Sequence, residues 1–202
     1  MDERELRKHR CCFTGHRPEK LKIPEQQLAV LLEDEIRRAI GSGFTTYITG
    51  MAKGTDLVAA EIVLRLREQD DRLKLICALP HPGFGLHWGD GWTERFQRVL
   101  EAADLTRCIC PRFSYASYQA RNEWMVCRSS LVIGVFNGEP GGTKNTLDYA
   151  NRIGVPCVVI RGENLRLYIG QVGGKAENKL KHKLTALYRL RCRAIFMEVV
   201  TI

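Results

Sequence analysis

The segment SLVIGVFNGEPGGTKNTLDYANRI, residues 130–153, contains the pattern that decides the fold. Its apolar run over Ser130–Phe136 predicts a buried β-strand. A glycine-rich turn, Asn137–Gly142, follows this strand, and the segment Thr143–Ile153 is predicted to be a helix. A strand that runs through a glycine turn into a helix is the repeating unit of parallel α/β proteins, so the same unit is expected elsewhere in the chain.

The same alternation recurs on both sides of this segment. Further strands are predicted at Arg10–Thr14, Phe44–Thr49, Leu73–Leu79, Leu105–Ile109 and Pro156–Ile160. Helices are predicted between them at Pro24–Ile40, Asp56–Glu68, Thr93–Ala103 and Ala116–Arg128. Near-continuous apolar strands are typical of parallel sheets that are covered on both faces. The sequence therefore predicts an α/β protein with a mainly parallel sheet and helices on both faces.

Positive charge is concentrated near the end of the chain. The 202 residues include 31 Lys and Arg and 23 Asp and Glu, which gives a net charge of +8. Residues 161–202 hold nine basic and three acidic residues, a net charge of +6. We therefore expect one domain over residues 1–160 and a basic extension over residues 161–202 that packs on it. Within the extension, Lys175–Leu190 favours a basic helix, and Ala194–Ile202 favours a final strand or an apolar clip.

The sequence also bears on the cellular compartment. No apolar run approaches the roughly 20 residues that cross a bilayer, and the charged start MDERELRKHR is unlike a secretory signal. We therefore expect a cytoplasmic protein with no membrane partner. Eight cysteines occur without a CxxC pair, and the five histidines show no metal-ligand spacing. Free thiols and no bound metal are expected.

Three glycine-containing turns follow predicted strands. In an open parallel sheet, ligands bind beyond the carboxyl ends of the strands, near the point where the strand order reverses. If the three strands are parallel, the three turns share one edge of the sheet. The candidate ligand-binding residues are Thr14, Gly15 and Arg17 in the first turn, Gly50, Lys53, Gly54 and Asp56 in the second, and Gly138, Gly141, Gly142 and Thr143 in the third.

The turn before the last predicted helix carries the strongest ligand signal. Gly141 and Gly142 allow the backbone to approach a ligand closely, and a helix N-terminus presents free N–H groups to an anion. The Thr143 hydroxyl has two interpretations, as a helix cap or as a partner of a phosphate oxygen. Asp56 likewise has two, as a helix cap or as a partner of a ribose hydroxyl. Lys53 adds a positive charge to its turn.

Two further sets of side chains are candidates for the same site. Arg121 and Asn122 lie in a predicted helix, and a guanidinium suits phosphate or carboxylate because it donates two parallel hydrogen bonds. A surface arginine without a ligand is the other interpretation of Arg121. Aromatic residues crowd the loop after the third strand, where they are candidates either for stacking on a base or for covering the sheet edge: Phe84, Trp88 and Trp92.

Several nucleotide-binding and catalytic motifs are absent from the sequence. The lack of GxxxxGK[ST] excludes a Walker-A ATPase, and the lack of GxGxxG excludes the common dinucleotide fingerprint. GxSxG and HExxH are absent too, which removes the usual α/β-hydrolase elbow and zinc-protease helix.

Five short motifs stand in a fixed order along the chain. They are CCFTGHRPEKL (11–21), GMAKGTDLVAAE (50–61), AADL (102–105), RNEWMV (121–126) and GEPGGTKNTLDYA (138–150). Together they resemble the YpsA-like branch of the SLOG superfamily. That superfamily includes the DprA/SMF proteins, which bind single-stranded DNA, and the LOG phosphoribohydrolases. The resemblance covers about residues 10–160 and implies a Rossmann-like, doubly wound fold with a nucleotide-related ligand.

The resemblance also assigns roles to particular residues. In LOG enzymes, a helical arginine and a PGGxGTxxE loop form the site. Arg121 matches that arginine, and Gly141–Thr143 matches the loop in shortened form. The catalytic glutamate of the loop is not matched, because Thr146 stands three residues after Thr143. Asp56 and Glu61 are the remaining carboxylates expected near the same edge, as catalytic candidates.

Three functions are open at this point. The first is a cytoplasmic module, with a sensor role, that binds a nucleotide or nucleotide-derived ligand and has no established cofactor. The second is a hydrolase of a nucleotide N-glycosidic or ADP-ribose-type bond, which needs an acid or base beside the sugar. The third is a DprA-like binder of single-stranded nucleic acid through the basic extension. Related folds often pair, so self-association is a further expectation.

Overall fold

A computed structural model describes residues 2–161 and the backbone of residues 168–169. Helices and strands alternate along this part of the chain. The helices are α1 (Glu3–Lys8), α2 (Glu25–Gly41), α3 (Thr55–Arg67), α4 (Trp92–Ala102), α5 (Tyr115–Cys127) and α6 (Gly142–Arg152). The strands are β1 (Arg10–Gly15), β2 (Thr46–Thr49), β3 (Lys74–Leu79), β4 (Leu105–Cys108), β5 (Leu131–Val135), β6 (Cys157–Ile160) and β7 (Tyr168–Ile169).

The strands form one sheet with the order β4-β3-β2-β1-β5-β6-β7. Strands β1 to β6 run parallel to one another. Strand β7 pairs antiparallel with β6. The predicted α/β, Rossmann-like, doubly wound architecture with a mainly parallel sheet is therefore confirmed.

Side chains along each strand alternate between two packed layers. In β1, Phe13 packs in the layer of α2, α3 and α4, to which Leu32 belongs. The next residue towards the N-terminus, Cys12, packs in the layer of α5 and α6, with Met125 and Leu147. Successive strand side chains point to opposite faces, so one strand contributes to both layers. This burial on both faces explains the near-continuous apolar runs in the sequence.

The strand order reverses at β1. Strands β2, β3 and β4 lie in chain order on one side of β1, and the chain then crosses through α5 to place β5 on the other side. The last residues of β1 and β5, Gly15 and Val135, are paired in register. At such a reversal the two connections leave in opposite directions and open a crevice beyond the strand ends. The turns that follow β1 and β5 therefore border this switch point.

Besides a short 3-10 helix over Pro18–Lys20, the structure contains two elements that the sequence did not predict. Helix α1 has six residues, none of them buried, so it lacks the apolar stripe that marks a helix. It is tied to the domain by ion pairs of Glu3 with Arg10, at 2.7 Å, and with Arg128, at 3.2 Å. Strand β7 is two residues long, too short for a period-two pattern. The bounds of the other elements agree with the predictions within two residues.

The predicted basic helix Lys175–Leu190 and the segment Ala194–Ile202 lie outside the described residues. The structure and folding of the basic extension, and the domain boundary near residue 160, stay predictions. Among the residues that the structure describes, none of the helices has the length and apolar character needed to cross a membrane.

Candidate functional site

Two neighbouring residues of α5 connect the turns at the carboxyl edge of the sheet. Arg121 donates a hydrogen bond from Nη1 to the carbonyl oxygen of Gly50, after β2. Asn122 lies beside the start of α6, since a Cβ placed on Gly142 would be 3.9 Å from its Nδ2. The turn after β1 joins this group, because the Thr55 hydroxyl donates to the carbonyl of His16 at 3.2 Å. The three turns therefore lie together.

The turn between β2 and α3 is closed by buried hydrogen bonds. The Thr49 hydroxyl donates to the backbone carbonyl of Asp56 at 2.9 Å and accepts the N–H of Met51 at 3.1 Å. The Asp56 carboxylate accepts the N–H of Ala52 at 3.3 Å. Met51 has a φ of 60°, a left-handed conformation that a bulky side chain adopts at an energetic cost. The surrounding hydrogen bonds hold this turn in one shape.

Arg121 fills the space behind this turn. Its side chain is buried, with 5% of the residue exposed, and Nη1 lies 4.0 Å from Oδ2 of Asp56. A Cβ on Gly50 would overlap the guanidinium and would lie 2.7 Å from that Asp56 oxygen. Glycine is therefore needed at position 50 to make room for Arg121. Nη1 is used within the protein, whereas Nε is buried without a hydrogen-bond partner among the described residues. The burial of Arg121 rules out the interpretation as a surface arginine, and its interpretation as a phosphate or carboxylate partner stays a prediction.

Burial controls the ionisation of this pair. It raises the pKa of the Asp56 carboxyl to about 6, although the charge of Arg121 and the N–H of Ala52 act in the opposite direction. Burial also lowers the pKa of the Arg121 guanidinium, against the attraction of Asp56. Each charge therefore compensates part of the desolvation of the other.

Gly15 and Gly54 are enclosed in the same way as Gly50. A Cβ on Gly15 would overlap the Thr55 side chain, and a Cβ on Gly54 would lie 2.8 Å from Cδ of Pro18. Internal packing thus accounts for both of these glycines, which the sequence analysis selected as ligand-binding residues.

The turn between β5 and α6 borders open space, whereas the space at the turn after β2 is filled by Arg121. Gly141 is the N-cap residue of α6, and no side chain caps this helix. Among the described residues, no atom lies within 4 Å of a Cβ placed on Gly138 or Gly141. The first N–H groups of a helix have no partner inside it. The start of α6 therefore presents uncapped N–H groups beside open space at the switch point.

Neither of the two side-chain caps suggested by the sequence is formed. The N-cap residue is Gly54 in α3 and Gly141 in α6, and neither helix has a side-chain cap. Asp56 and Thr143, the two candidate caps, are buried inside the first turns of these helices.

The remaining predicted ligand residues differ in exposure. Thr14 is buried at the end of β1, whereas Arg17 is exposed just beyond it. Lys53 is half-buried, and its Nζ lies 5.6 Å from the ring centre of Trp88. Of these three side chains, Arg17 is the one that is open to a ligand in solution.

His16 is a buried polar residue at the switch point that the sequence analysis did not select. It is 4% exposed, and its ring stacks on Phe136 with 5.4 Å between the ring centres. Its Nε2 is buried without a hydrogen-bond partner among the described residues. Burial lowers the pKa of the imidazole, and the charge of Lys20 acts in the same direction. The quoted motif contained this histidine, but one sequence gives no signal that it is buried.

The aromatic residues after β3 cover the sheet edge. Phe84 is buried, and its ring meets those of Trp88 and Phe96 nearly at right angles, with centres 5.1 and 6.2 Å apart. Trp92 is half-buried, and the guanidinium of Arg95 lies 4.4 Å from its ring centre. These contacts favour the covering role that the sequence left open, and they occupy ring surfaces that base stacking would need.

Glu61 is engaged away from the turns. Its carboxylate accepts two hydrogen bonds from the Arg95 guanidinium, at 2.6 and 2.8 Å. It lies six residues after Thr55, a rise of about 9 Å along α3 from the edge. The structure therefore does not bring Glu61 to the edge where the sequence analysis expected it. At the position of the LOG glutamate, the Thr146 hydroxyl donates to the carbonyl of Gly142 at 2.7 Å.

These features define a Rossmann-like protein whose glycine turns meet at a switch point. A model of the YspA SLOG family matches residues 11–154. That range contains all three turns and both α5 residues that connect them. The chain therefore belongs to this SLOG family, as its motifs predicted.

Two bacterial proteins are similar to the chain in sequence. The chain is 30% identical over 147 residues to the "uncharacterized SPbeta prophage-derived protein YoqJ" of Bacillus subtilis (strain 168), which covers 67% of this chain and 84% of the relative. It is 26% identical over 166 residues to a UPF0398 protein of Bacillus velezensis, which covers 76% of this chain and 91% of the relative.

Two solved structures of DNA processing protein A are similar in fold. The Streptococcus pneumoniae protein aligns with a TM-score of 0.57 and 18% identity, over 79% of this chain and 53% of the other. The Helicobacter pylori protein, whose structure addresses its single-stranded DNA binding mode, aligns with a TM-score of 0.54 and 18% identity, over 90% of this chain and 76% of the other. At this identity the similarity concerns the fold.

Proposed function

We propose that the protein binds a nucleotide or nucleotide-derived ligand whose phosphate lies at the start of α6. The observation that carries the proposal is the open, uncapped turn Gly141–Thr143 beside the switch point. The aligned peptide dipoles of a helix place partial positive charge at its N-terminus, and the first N–H groups lack acceptors. A phosphate group supplies both the negative charge and the acceptor oxygens.

The side chains around this turn suit the remainder of such a ligand. The Asn122 amide offers a donor and an acceptor next to Gly142, which suits a sugar hydroxyl. Arg17 adds an exposed positive charge after β1. His16 has a buried Nε2 without a protein partner, and buried polar groups of this kind are commonly satisfied by a bound molecule or by water.

We propose binding without turnover, as in a sensor. Hydrolysis of a glycosidic bond needs an acid or base beside the sugar. Asp56 is buried behind the turn after β2, and Glu61 is held by Arg95. Thr146 stands where LOG enzymes have their glutamate. The hydrolase alternative therefore has no open carboxylate at the positions that the sequence offered for it.

Other parts of the sequence interpretation are kept in the proposal as expectations. The ligand is encountered in the cytoplasm, without a membrane partner, and the protein associates with itself. Binding of nucleic acid by the basic extension concerns residues 161–202, most of which lie outside the described part of the chain.

The proposal is tested by thermal unfolding with AMP, NAD and ADP-ribose, for the wild type and for Gly142→Asp. The new side chain has room, because its Cβ would be 3.9 Å from the nearest atom, Nδ2 of Asn122. An acidic residue in the first turn of a helix stabilises it by about 0.3–1 kcal/mol, so the variant folds. Its carboxylate repels a phosphate. At a ligand concentration a hundredfold above Kd, the wild type gains about 2.7 kcal/mol and the variant gains none.

A matched control separates the turn from the change in net charge. Gln26→Asp introduces the same charge into the exposed first turn of α2 and keeps the ligand response. The proposal fails if none of the three compounds stabilises the wild type, or if Gly142→Asp responds as the wild type does. Product formed from the stabilising compound during long incubation would contradict the sensor role alone.

A further inference from the structure

Two aromatic rings are exposed where the loop after β4 leads into α5, Phe113 in the loop and Tyr115 as the first residue of the helix. Phe113 is 56% exposed and Tyr115 is 86% exposed. Their ring centres are 5.6 Å apart, and the rings are inclined by 66°. The rings that the sequence analysis proposed for base stacking are covered, whereas these two are open. An exposed aromatic pair at the carboxyl edge needs an explanation, because burying such rings is strongly favourable.

Phe113 is held in position by other aromatic rings. His81 lies with its ring centre 5.0 Å away at an angle of 83°, and Tyr118 lies 6.4 Å away at 79°. These edge-to-face contacts fix the ring while more than half of the residue stays accessible. A side chain that is already ordered loses less entropy on binding than a mobile one. Phe113 is therefore a preorganised platform.

His81 adds an unsatisfied polar group beneath this platform. Its Nδ1 lies 2.8 Å from the carbonyl oxygen of Pro82 and donates a hydrogen bond to it. His81 is buried, and Nε2 has no partner among the described residues. The buried His81 ring therefore supports Phe113 from beneath.

The charge around the platform favours an anionic partner. The segment Leu105–Tyr115 contains Arg107 and Arg112 and no acidic residue. All four residues of β4 are exposed, and so is Arg112, the immediate neighbour of Phe113. Proteins hold single strands by placing positive side chains next to exposed rings, with phosphates on the cations and bases on the rings.

We infer that this surface, Arg107, Arg112, Phe113 and Tyr115, binds single-stranded nucleic acid. Bases stack on Phe113 and Tyr115, and the two arginines contact phosphates. A second copy of the chain fits the surface less well. In a two-fold symmetric contact each patch meets itself, which would bring the arginines of both copies together.

This inference goes beyond the proposed function and stands without it. The platform follows β4, whereas the start of α6 follows β5, and these strands are four places apart in the sheet. It also differs from the nucleic-acid hypothesis based on the basic extension, because it uses residues of the α/β domain. Loss of one site leaves the other intact.

The inference is tested by fluorescence anisotropy of the full chain with a labelled 15-mer of thymidylate and with an abasic strand of the same length. The abasic strand keeps the phosphates and lacks the bases. Phe113→Leu and Tyr115→Leu keep an apolar side chain and remove the ring. Stacking of one base accounts for about a tenfold change in affinity, so each variant binds the thymidylate strand about tenfold more weakly. Neither variant changes binding of the abasic strand.

Two arginine variants, one in the surface and one away from it, test the electrostatic contribution. Arg112→Ala reduces the slope of log Kd against log salt by about 0.7, the value for one phosphate contact on a single strand. Arg72→Ala removes the same charge before the start of β3, at the opposite edge, where Arg72 pairs with Asp70 at 2.8 Å. That variant leaves the slope unchanged.

Three results would overturn the inference. The first is no binding of thymidylate by the wild type at low salt. The second is an equal effect of Phe113→Leu on both strands, or no effect on either, which would assign binding to charge elsewhere. The third is a wild-type dimer in solution that Phe113→Leu converts to a monomer, which would make this surface an interface between copies. Circular dichroism confirms the fold of each variant beforehand.

Discussion

The turns after β2 and β5 lie at the same edge of the sheet. The space beside the first turn is filled by a side chain, and the space beside the second is open. Gly50 in the first turn gives room to the buried guanidinium of Arg121. Gly142 in the second turn borders open space, with Asn122 as its neighbour at 3.9 Å. The same residue type therefore does two different things. In the first turn glycine admits a side chain of the protein, and in the second it leaves helix N–H groups uncovered.

This difference separates glycines that internal packing requires from glycines that border open space. In the turn after β2, which packs against Arg121, hydrogen bonds of Thr49 and Asp56 fix the shape of the backbone. A turn that is open and uncapped has backbone donors left for another molecule. The comparison gives the first turn a role in stability, and we propose ligand binding for the second; each role predicts a different response to mutation.

The largest effect is expected from Arg121→Ala. This change empties the space behind the first turn and leaves the buried Asp56 without its partner. Removing one member of a buried ion pair costs about 3–5 kcal/mol, so the free energy of unfolding in urea falls by that amount at pH 7. Arg128→Ala breaks a surface pair with Glu3 and costs less than about 1 kcal/mol. Equal losses in both variants would refute the buried role of Arg121.

Gly50→Ala is expected to destabilise the protein by about 1–3 kcal/mol, because its Cβ overlaps the Arg121 guanidinium. Chemical denaturation measures this loss. In the double variant with Arg121→Ala the overlap is relieved, so the two losses are less than additive. Full additivity would show that the two residues are not in contact, contrary to the account of the filled turn.

The buried carboxyl of Asp56 predicts a dependence of stability on pH. Its pKa rises from 3.8 in an open chain to about 6 in the folded protein, so the folded state holds the proton more tightly. This contribution is fully present below about pH 4 and is lost as the pH rises through about 6, on the order of 2 kcal/mol. Asp56→Asn does not titrate. The difference in unfolding free energy between wild type and variant, measured at pH 4 and pH 7, should change by that amount; a constant difference would contradict the burial of the charge.

The smallest effect has the opposite sign. Gly142→Ala places a Cβ without overlap at the first position of α6, 3.9 Å from Nδ2 of Asn122. Replacing glycine by alanine where the backbone conformation suits alanine stabilises a protein by about 0.4–1 kcal/mol. The melting temperature should therefore rise, in contrast to Gly50→Ala. A loss of stability comparable to that of Gly50→Ala would mean that the second turn is also filled, which would contradict the difference between the two turns.

The sequence predicted the framework of the site because that framework depends on local patterns. Apolar runs located the strands, and glycines after them located the turns at one edge. It did not distinguish Gly50 from Gly142, because the space around a glycine is determined by residues distant in the chain. Arg121 is 71 residues from Gly50, and a single sequence carries no signal of that contact.

The aromatic residues illustrate the same limit. The cluster at Phe84, Trp88 and Trp92 was visible in the sequence, but composition does not reveal which rings pack against each other. Phe113 lies in the short loop between β4 and α5, and Tyr115 is the first residue of α5. Nothing local in the sequence indicates how much of each ring is exposed. Exposure depends on how β4 and α5 are placed, which is a property of the whole sheet.

The most direct test of the comparison is the movement of backbone amide signals in a ¹⁵N-labelled protein titrated with ADP-ribose. The account predicts that the signals of Gly142 and Thr143 move with the ligand concentration, while those of Gly50 and Gly54 stay in place. Movement of the Gly50 and Gly54 signals with those of Gly142 and Thr143 unchanged would contradict it, because the ligand would then bind at the turn that Arg121 fills.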